Sequence, residues 1–190
     1  MIIDISTALQ SLRPNAEWHM VGTEYSGIYW DDKIETKPTE QEVEERIVEL
    51  KYQEEVNVYQ EKRKLEYPDW RDQLDQIYHD GIDVWKADIK AIKDKYPKQT
   101  MDTTELQKRK DAAIFILQKR NYEKAVARLA QYELSAGVRN NDNLTFKIEP
   151  LPLIVDNERN PLVVQDEAER EAAQKVINMT PQAVIDSINT

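Results

Sequence analysis

Eight prolines divide this 190-residue chain and set where its helices can begin and end. Proline has no amide hydrogen and disfavours helical geometry in the residue before it, so helices stop ahead of it or start on it. Pro14, with Asn15, closes a first short helix whose apolar face is Ala8, Leu9 and Leu12. Pro38 leads into Thr39-Glu40-Gln41-Glu42, a hydroxyl N-cap with Glu three residues later, which is a capping box. The long helix it opens runs to about Glu66, and Tyr67-Pro68 ends it. Val43, Ile47 and Leu50 form one stripe along that helix, and Val48, Tyr52, Val56 and Tyr59 form another. This drift predicts packing on varied neighbours in place of a long two-stranded coiled coil.

Helical periodicity resumes at Leu74, Ile77 and Tyr78 and is interrupted by Gly81. A further helix carries Val84, Trp85, Ile89 and Ile92 up to Tyr96-Pro97. Ahead of the long helix, Glu17–Gly22 and Ile28–Asp31 are aromatic-rich strands around a Gly-bounded turn, the pattern of a β-hairpin. Such a hairpin is too small to stand alone, so its tryptophans must pack on a helix.

Past residue 100 the pattern changes. Asp102-Thr103-Thr104-Glu105 is a second capping-box pattern, and Leu106, Ala113, Ile116, Leu117, Tyr122, Val126 and Leu129 carry the helix towards Gly137, a candidate C-cap. Ala112 to Leu117 is apolar all round, so this helix is expected to be clasped on several sides. Asn140 to Asn143 is a turn cluster. Pro150, Pro152 and Pro161 then argue against continuous helix and for extended pieces at Leu144–Ile148, Leu151–Val155 and Leu162–Val164. Asp156 to Asn160 is a turn that links two of these as an arm or loose hairpin. A tail helix spans Gln165 to Met179 with Ala168, Ala172, Val176 and Met179 about one turn apart. Thr180-Pro181 supplies an N-cap and first-turn proline for a last helix holding Val184, Ile185 and Ile188. The fold class is therefore mainly α: a small helical bundle with an N-terminal β-hairpin, a proline-rich extended arm and a C-terminal helical tail. The expected segments are 1–100, 101–137, 138–164 and 165–190.

Composition narrows the function. Hydrophobic residues make up 40% and charged residues 33%, with mean hydropathy −0.75, which is polar for a free-standing globule and predicts a thin core. Net charge is −10, from 26 basic and 36 acidic residues, so no nucleic-acid partner is expected. Lys86, Lys90, Lys93, Lys95 and Lys98, and then Lys108, Arg109, Lys110, Lys119 and Arg120, are interleaved with acids and read as solvated faces. The start, Met1 to Ile5, lacks the basic opening and long apolar core of a signal peptide. No apolar run approaches the roughly 20 residues that span a bilayer, so a soluble chain without a membrane partner is expected.

Catalytic patterns are sparse. There is no cysteine, which excludes disulfides and thiolate metal sites. Four scattered glycines cannot build a phosphate-binding loop. His19 reads as packed or hydrogen-bonded within the hairpin, and His79 as an imidazolium near a helix C-terminus, without metal-ligand spacing around either. No nucleophile signature surrounds Ser6, Ser11, Ser26, Ser135 or Ser187. Acidic pairs such as Asp31-Asp32, Glu44-Glu45 and Glu54-Glu55 fit surfaces better than a hydrolytic pair. The expectation is a non-enzyme with no cofactor and no metal. Trp18, Tyr25, Tyr29, Trp30, Tyr67, Trp70, Tyr78 and Trp85 read as the core of a small domain, with interface anchors as the alternative.

Two stretches carry a resemblance. Residues 8–40 read A-L-x-S-L-R-P-N-A-E-W, then E-Y-S-G-I-Y-W and K-P-T-E. Residues 67–98 read Y-P-x-x-x-D-Q-L-D-x-x-Y-H, then W-K-x-x-I-x-x-I-K-x-K-Y-P-K. Over roughly its first half the chain resembles small tail-region proteins of tailed bacteriophages, marine and cyanobacterial phages among them. The resemblance implies a virion structural protein of the tail, baseplate or tail-fibre attachment region, made in the host cytoplasm. Its partners would be other phage structural proteins and further copies of itself in an assembly. A non-virion tail assembly chaperone is the alternative, and a small hydrolase the second. The expected contact residues are Ile114, Phe115, Ile116 and Leu117 on the long helix and Leu151, Leu153, Ile154 and Val155 on the arm.

Overall fold

The computed structural model describes residues 2–140, 154–155, 158–159 and 161–189. The chain divides into two units, Met1–Ala113 and Ile114–Thr190. It is mainly helical with a small N-terminal hairpin, as the periodicity predicts.

In the first unit, Asp4 accepts the Thr7 amide at 2.9 Å and caps α1 (Ile5–Leu12), whose Ala8 and Leu9 are fully buried. The hairpin strands β1 (Trp18–Met20) and β2 (Ile28–Trp30) run antiparallel, with Trp18 opposite Trp30, His19 opposite Tyr29 and Met20 opposite Ile28. Alternation turns Trp18, Met20, Ile28 and Trp30 towards the core, while His19 and Tyr29 stack on the open face at 4.8 Å. The hairpin closes through a tight turn in which the Val21 amide donates to the Gly27 carbonyl at 2.9 Å.

Both arms of the Thr39–Glu42 capping box form, and they start α2 (Glu40–Glu66). Val43 and Ile47 of α2 join Ala8, Leu9 and Ile28 in one core. Tyr25 fastens the approach by donating its hydroxyl to the Pro38 carbonyl at 2.6 Å. Burial and the nearby Glu40 and Glu42 carboxylates raise the Tyr25 phenol above its usual value.

Asp69 caps α3 (Trp70–Asp80), and Gly81, at φ +90°, is the single residue between it and α4 (Ile82–Lys95). That left-handed backbone suits glycine. The two helices pack on each other, tied by Trp85 Nε1 to Gln73 Oε1 at 3.0 Å and Gln76 Nε2 to Asp88 Oδ2 at 2.6 Å. Arg63 of α2 donates to the Lys93 and Tyr96 carbonyls at 3.0 and 2.8 Å, which satisfies the free carbonyl end of α4.

The helix α5 (Thr103–Asn140) begins in this unit. Only half of its expected capping box exists. Asp102 accepts the Thr104 and Glu105 amides, but its own amide donates to the Tyr52 hydroxyl, and Glu105 instead binds Arg109 at 2.9 Å. The helix also passes Gly137, the expected C-cap. A glycine within a helix costs about 1 kcal/mol relative to alanine, too little to end a long one.

The second unit holds the rest of α5, a two-residue ribbon of β3 (Ile154–Val155) and β4 (Glu158–Arg159), then α6 (Pro161–Met179) and α7 (Gln182–Asp186). Three expectations are corrected here. Leu162–Val164 is helical, because Pro161 sits at the first position of α6, where the missing amide hydrogen costs nothing. Thr180 does not cap α7; its hydroxyl donates back to the Val176 carbonyl at 2.7 Å, and Pro181 takes the cap position. The tail face is also displaced: Ala173 is buried, while Ala168, Ala172, Val176 and Met179 are exposed. Leu117, Ala125, Ala173 and Val184 are this unit's buried apolar residues among those described, a core made mostly of small side chains. Residues 144–148, expected to be extended, lie outside the described residues.

Candidate interaction surfaces

The expected contact residues of α5 differ sharply in exposure. Leu117 is 6% exposed and belongs to the core of the second unit, and Ile114 is half-buried. Phe115 is exposed, and Ile116 is 66% exposed. The all-round apolar segment is therefore covered by this chain on one side, with Phe115 and Ile116 facing outward. Ile154 and Val155 form β3, opposite Arg159 and Glu158. Leu151 and Leu153 lie outside the described residues.

A second apolar surface favours the alternative reading of two aromatics, Trp70 and Tyr78, as exposed anchors over the core reading. Trp70, Leu74 and Tyr78, one helical turn apart along α3, are 62%, 57% and 84% exposed. Ile82 and Val84 at the start of α4 are exposed too, and no residue of either helix is fully buried. The guanidinium of Arg71 lies over the Trp70 ring at 5.2 Å, and His79 meets Tyr78 edge-on at 4.9 Å. The grouping of aromatics in the first half of the chain predicts a core that holds Trp70 and Tyr78 together with Trp18, Tyr25, Trp30, Tyr67 and Trp85. Those five are half-buried, whereas Tyr29, Trp70 and Tyr78 are exposed.

Within the first unit runs a polar seam. Lys110 of α5 reaches Glu49 of α2, which also accepts from Arg46 at 2.7 Å, and Arg46 donates to Ser11 of α1. Burial works against the Glu49 charge, but hydrogen bonds from Lys110 and Arg46 outweigh it and hold the carboxyl below the usual range. Arg109 bridges Glu105 and Glu55 and lies 4.4 Å over the Tyr52 ring. The lysines of α4 are largely paired: Lys86 with Asp83, Lys90 with Asp94, and Lys95 with Glu66 of α2.

Chemically reactive groupings are few among the described residues. His19 Nδ1 lies 2.8 Å from Asp31, and His79 Nε2 lies 3.5 Å from Asp75, both pairs well exposed. Among the described residues no cluster of three or more His, Asp or Glu is placed to hold a metal ion. No described helix is long and apolar enough to cross a membrane. An open cleft of about 290 Å³ in the second unit is lined by Gln118 and Asn121 of α5, Lys175, Val176 and Met179 of α6, and Thr180 and Pro181. Compared with protein-family models, curated proteins and solved structures, the chain matches none.

Proposed function

We propose that this chain is a structural subunit of a tailed-phage particle, near the tail, baseplate or fibre-attachment region, and that it works by protein–protein contact. The observation that carries the contact role is the outward placement of Trp70, Leu74, Tyr78, Phe115 and Ile116. Grouped exposed apolar side chains of this size mark interaction sites, and Trp and Tyr are the usual anchors. The phage assignment rests on the motifs of residues 8–40 and 67–98. Its partners are other structural proteins of the particle and further copies of the chain.

Mass spectrometry of purified particles tests the reading. The chain is expected at a fixed ratio to the tail proteins. Presence in infected cells but absence from washed particles makes it an assembly chaperone and overturns the virion role.

A further inference from the structure

We propose that Arg63 and Glu66 form a latch holding the α3–α4 hairpin to α2, and that the hairpin swings as an arm on its two Tyr-Pro joints when the latch opens. The inference goes beyond the virion reading, because it concerns the conformation of the purified chain whether or not a particle contains it.

The hairpin coheres within itself and is thinly attached. α3 and α4 pack on each other, and the Trp85–Gln73 and Gln76–Asp88 bonds cross their seam. Yet no residue of either helix is fully buried, and neither contributes to the core of Ala8, Leu9, Ile28, Val43 and Ile47. The chain enters the hairpin through Tyr67-Pro68 and leaves it through Tyr96-Pro97. Tyr67 is extended, at φ −64° and ψ 132°, and the proline after it keeps α2 and α3 from fusing into one rod. Hinges are built from a few such residues at element ends.

What fixes the arm is polar and sits at one end. The Arg63 guanidinium lies over the Tyr59 ring at 4.8 Å and donates to the Lys93 and Tyr96 carbonyls. Glu66, three residues on and so on the same side of α2, accepts from the Lys95 ammonium and the Tyr96 hydroxyl. Arg63, Glu66 and Tyr96 are half-buried, and Lys93 and Lys95 are exposed, so water can take over each bond as it breaks. Such a contact opens far more readily than a packed core. Opening it leaves the seam between α3 and α4 untouched. It therefore carries Trp70, Leu74 and Tyr78 to a new direction as one rigid ridge.

Spin-label distances test this. The chain has no cysteine, so Lys51→Cys and Asp80→Cys, both at exposed positions, put one label on α2 and one on the far end of α3. Double electron–electron resonance on this labelled chain is expected to give one narrow distance. Adding Arg63→Met and Glu66→Gln together should spread it: α3, with 11 residues, is ~17 Å long, and a swing of about 30° moves its end by roughly 8 Å. The helical circular-dichroism signal should stay at the level of the labelled parent. Lys64→Met, an exposed neighbour outside the latch, should keep the narrow peak. A narrow peak that survives the double substitution overturns the proposal, as does a broad distance in the labelled parent. So does broadening by Lys64→Met, or a loss of helical signal, which would mean that the hairpin needs the latch in order to fold.

Discussion

Lys110 of α5 ends on the carboxylate of Glu49 of α2, 61 positions earlier in the chain, with both side chains largely shielded. Such a long-range ion pair binds the start of one long helix to the middle of another. Its stability contribution depends on the carboxylate staying ionised. Asp4 and Glu42 are likewise lowered, each first of all by a backbone amide, those of Thr7 and Thr39. A carboxyl whose folded pKa is depressed stabilises the protein above its unfolded pKa and loses that stabilisation as pH falls through the folded value. The thermal midpoint should therefore hold above the 4.5 of a free glutamate and fall progressively below it. Glu49→Gln should be less stable at neutral pH and show a shallower acid slope; an unchanged slope excludes Glu49 as a contributor.

Gly27 stands against the Val21 backbone so closely that an added Cβ would lie 2.0 Å from the Val21 carbonyl oxygen. Nothing flexible can yield there. Gly27→Ala should open the hairpin turn and cost about 1–3 kcal/mol by urea denaturation. It should also move Trp30, whose indole donates to the Glu35 carbonyl at 2.7 Å, and so shift the fluorescence.

Leu9 and Leu65 make a paired test of where the first core lies. Leu9 is fully buried among Ala8, Ile28, Val43 and Ile47, whereas Leu65 is exposed on α2. Leu9→Ala should lose about 2–5 kcal/mol. Leu65→Ala should stay within about 0.5 kcal/mol of wild type. Equal losses would place the core elsewhere.

Phe115 and Ile154 probe the proposed particle contacts. Alanine at an interface anchor costs about 2 kcal/mol or more, read as a roughly 30-fold loss in binding. The fraction of each variant that co-sediments with particles should fall accordingly. If both incorporate like the wild type, those positions are not anchors.

Much of the first unit was legible because its signals are local. The Thr39–Glu42 capping box, Tyr67-Pro68, Gly81 and Tyr96-Pro97 each act on the backbone within a few residues, and the element ends fall at them. Misreadings arose where one residue has two uses. Pro161 breaks a helix from inside but opens one at its first turn, and the choice depends on what precedes it in space. Glu105 can complete a capping box or pair with Arg109, and the nearby Tyr52 hydroxyl satisfies the Asp102 amide, leaving Glu105 for the arginine. Trp70 and Tyr78 read as core first and as interface anchors second for a different reason: periodicity shows that a face is apolar, not whether anything in the chain covers it.

With Gly81 alone between α3 and α4, the hairpin has almost no slack. Each residue added to or removed from a helix turns everything beyond it by about 100°. A one-residue insertion just ahead of Gly81 would therefore swing Trp70, Leu74 and Tyr78 a quarter-turn around the helix, and Gln73 would lose its reach to Trp85. What this chain offers to its surroundings is set, to that extent, by the length of a single joint.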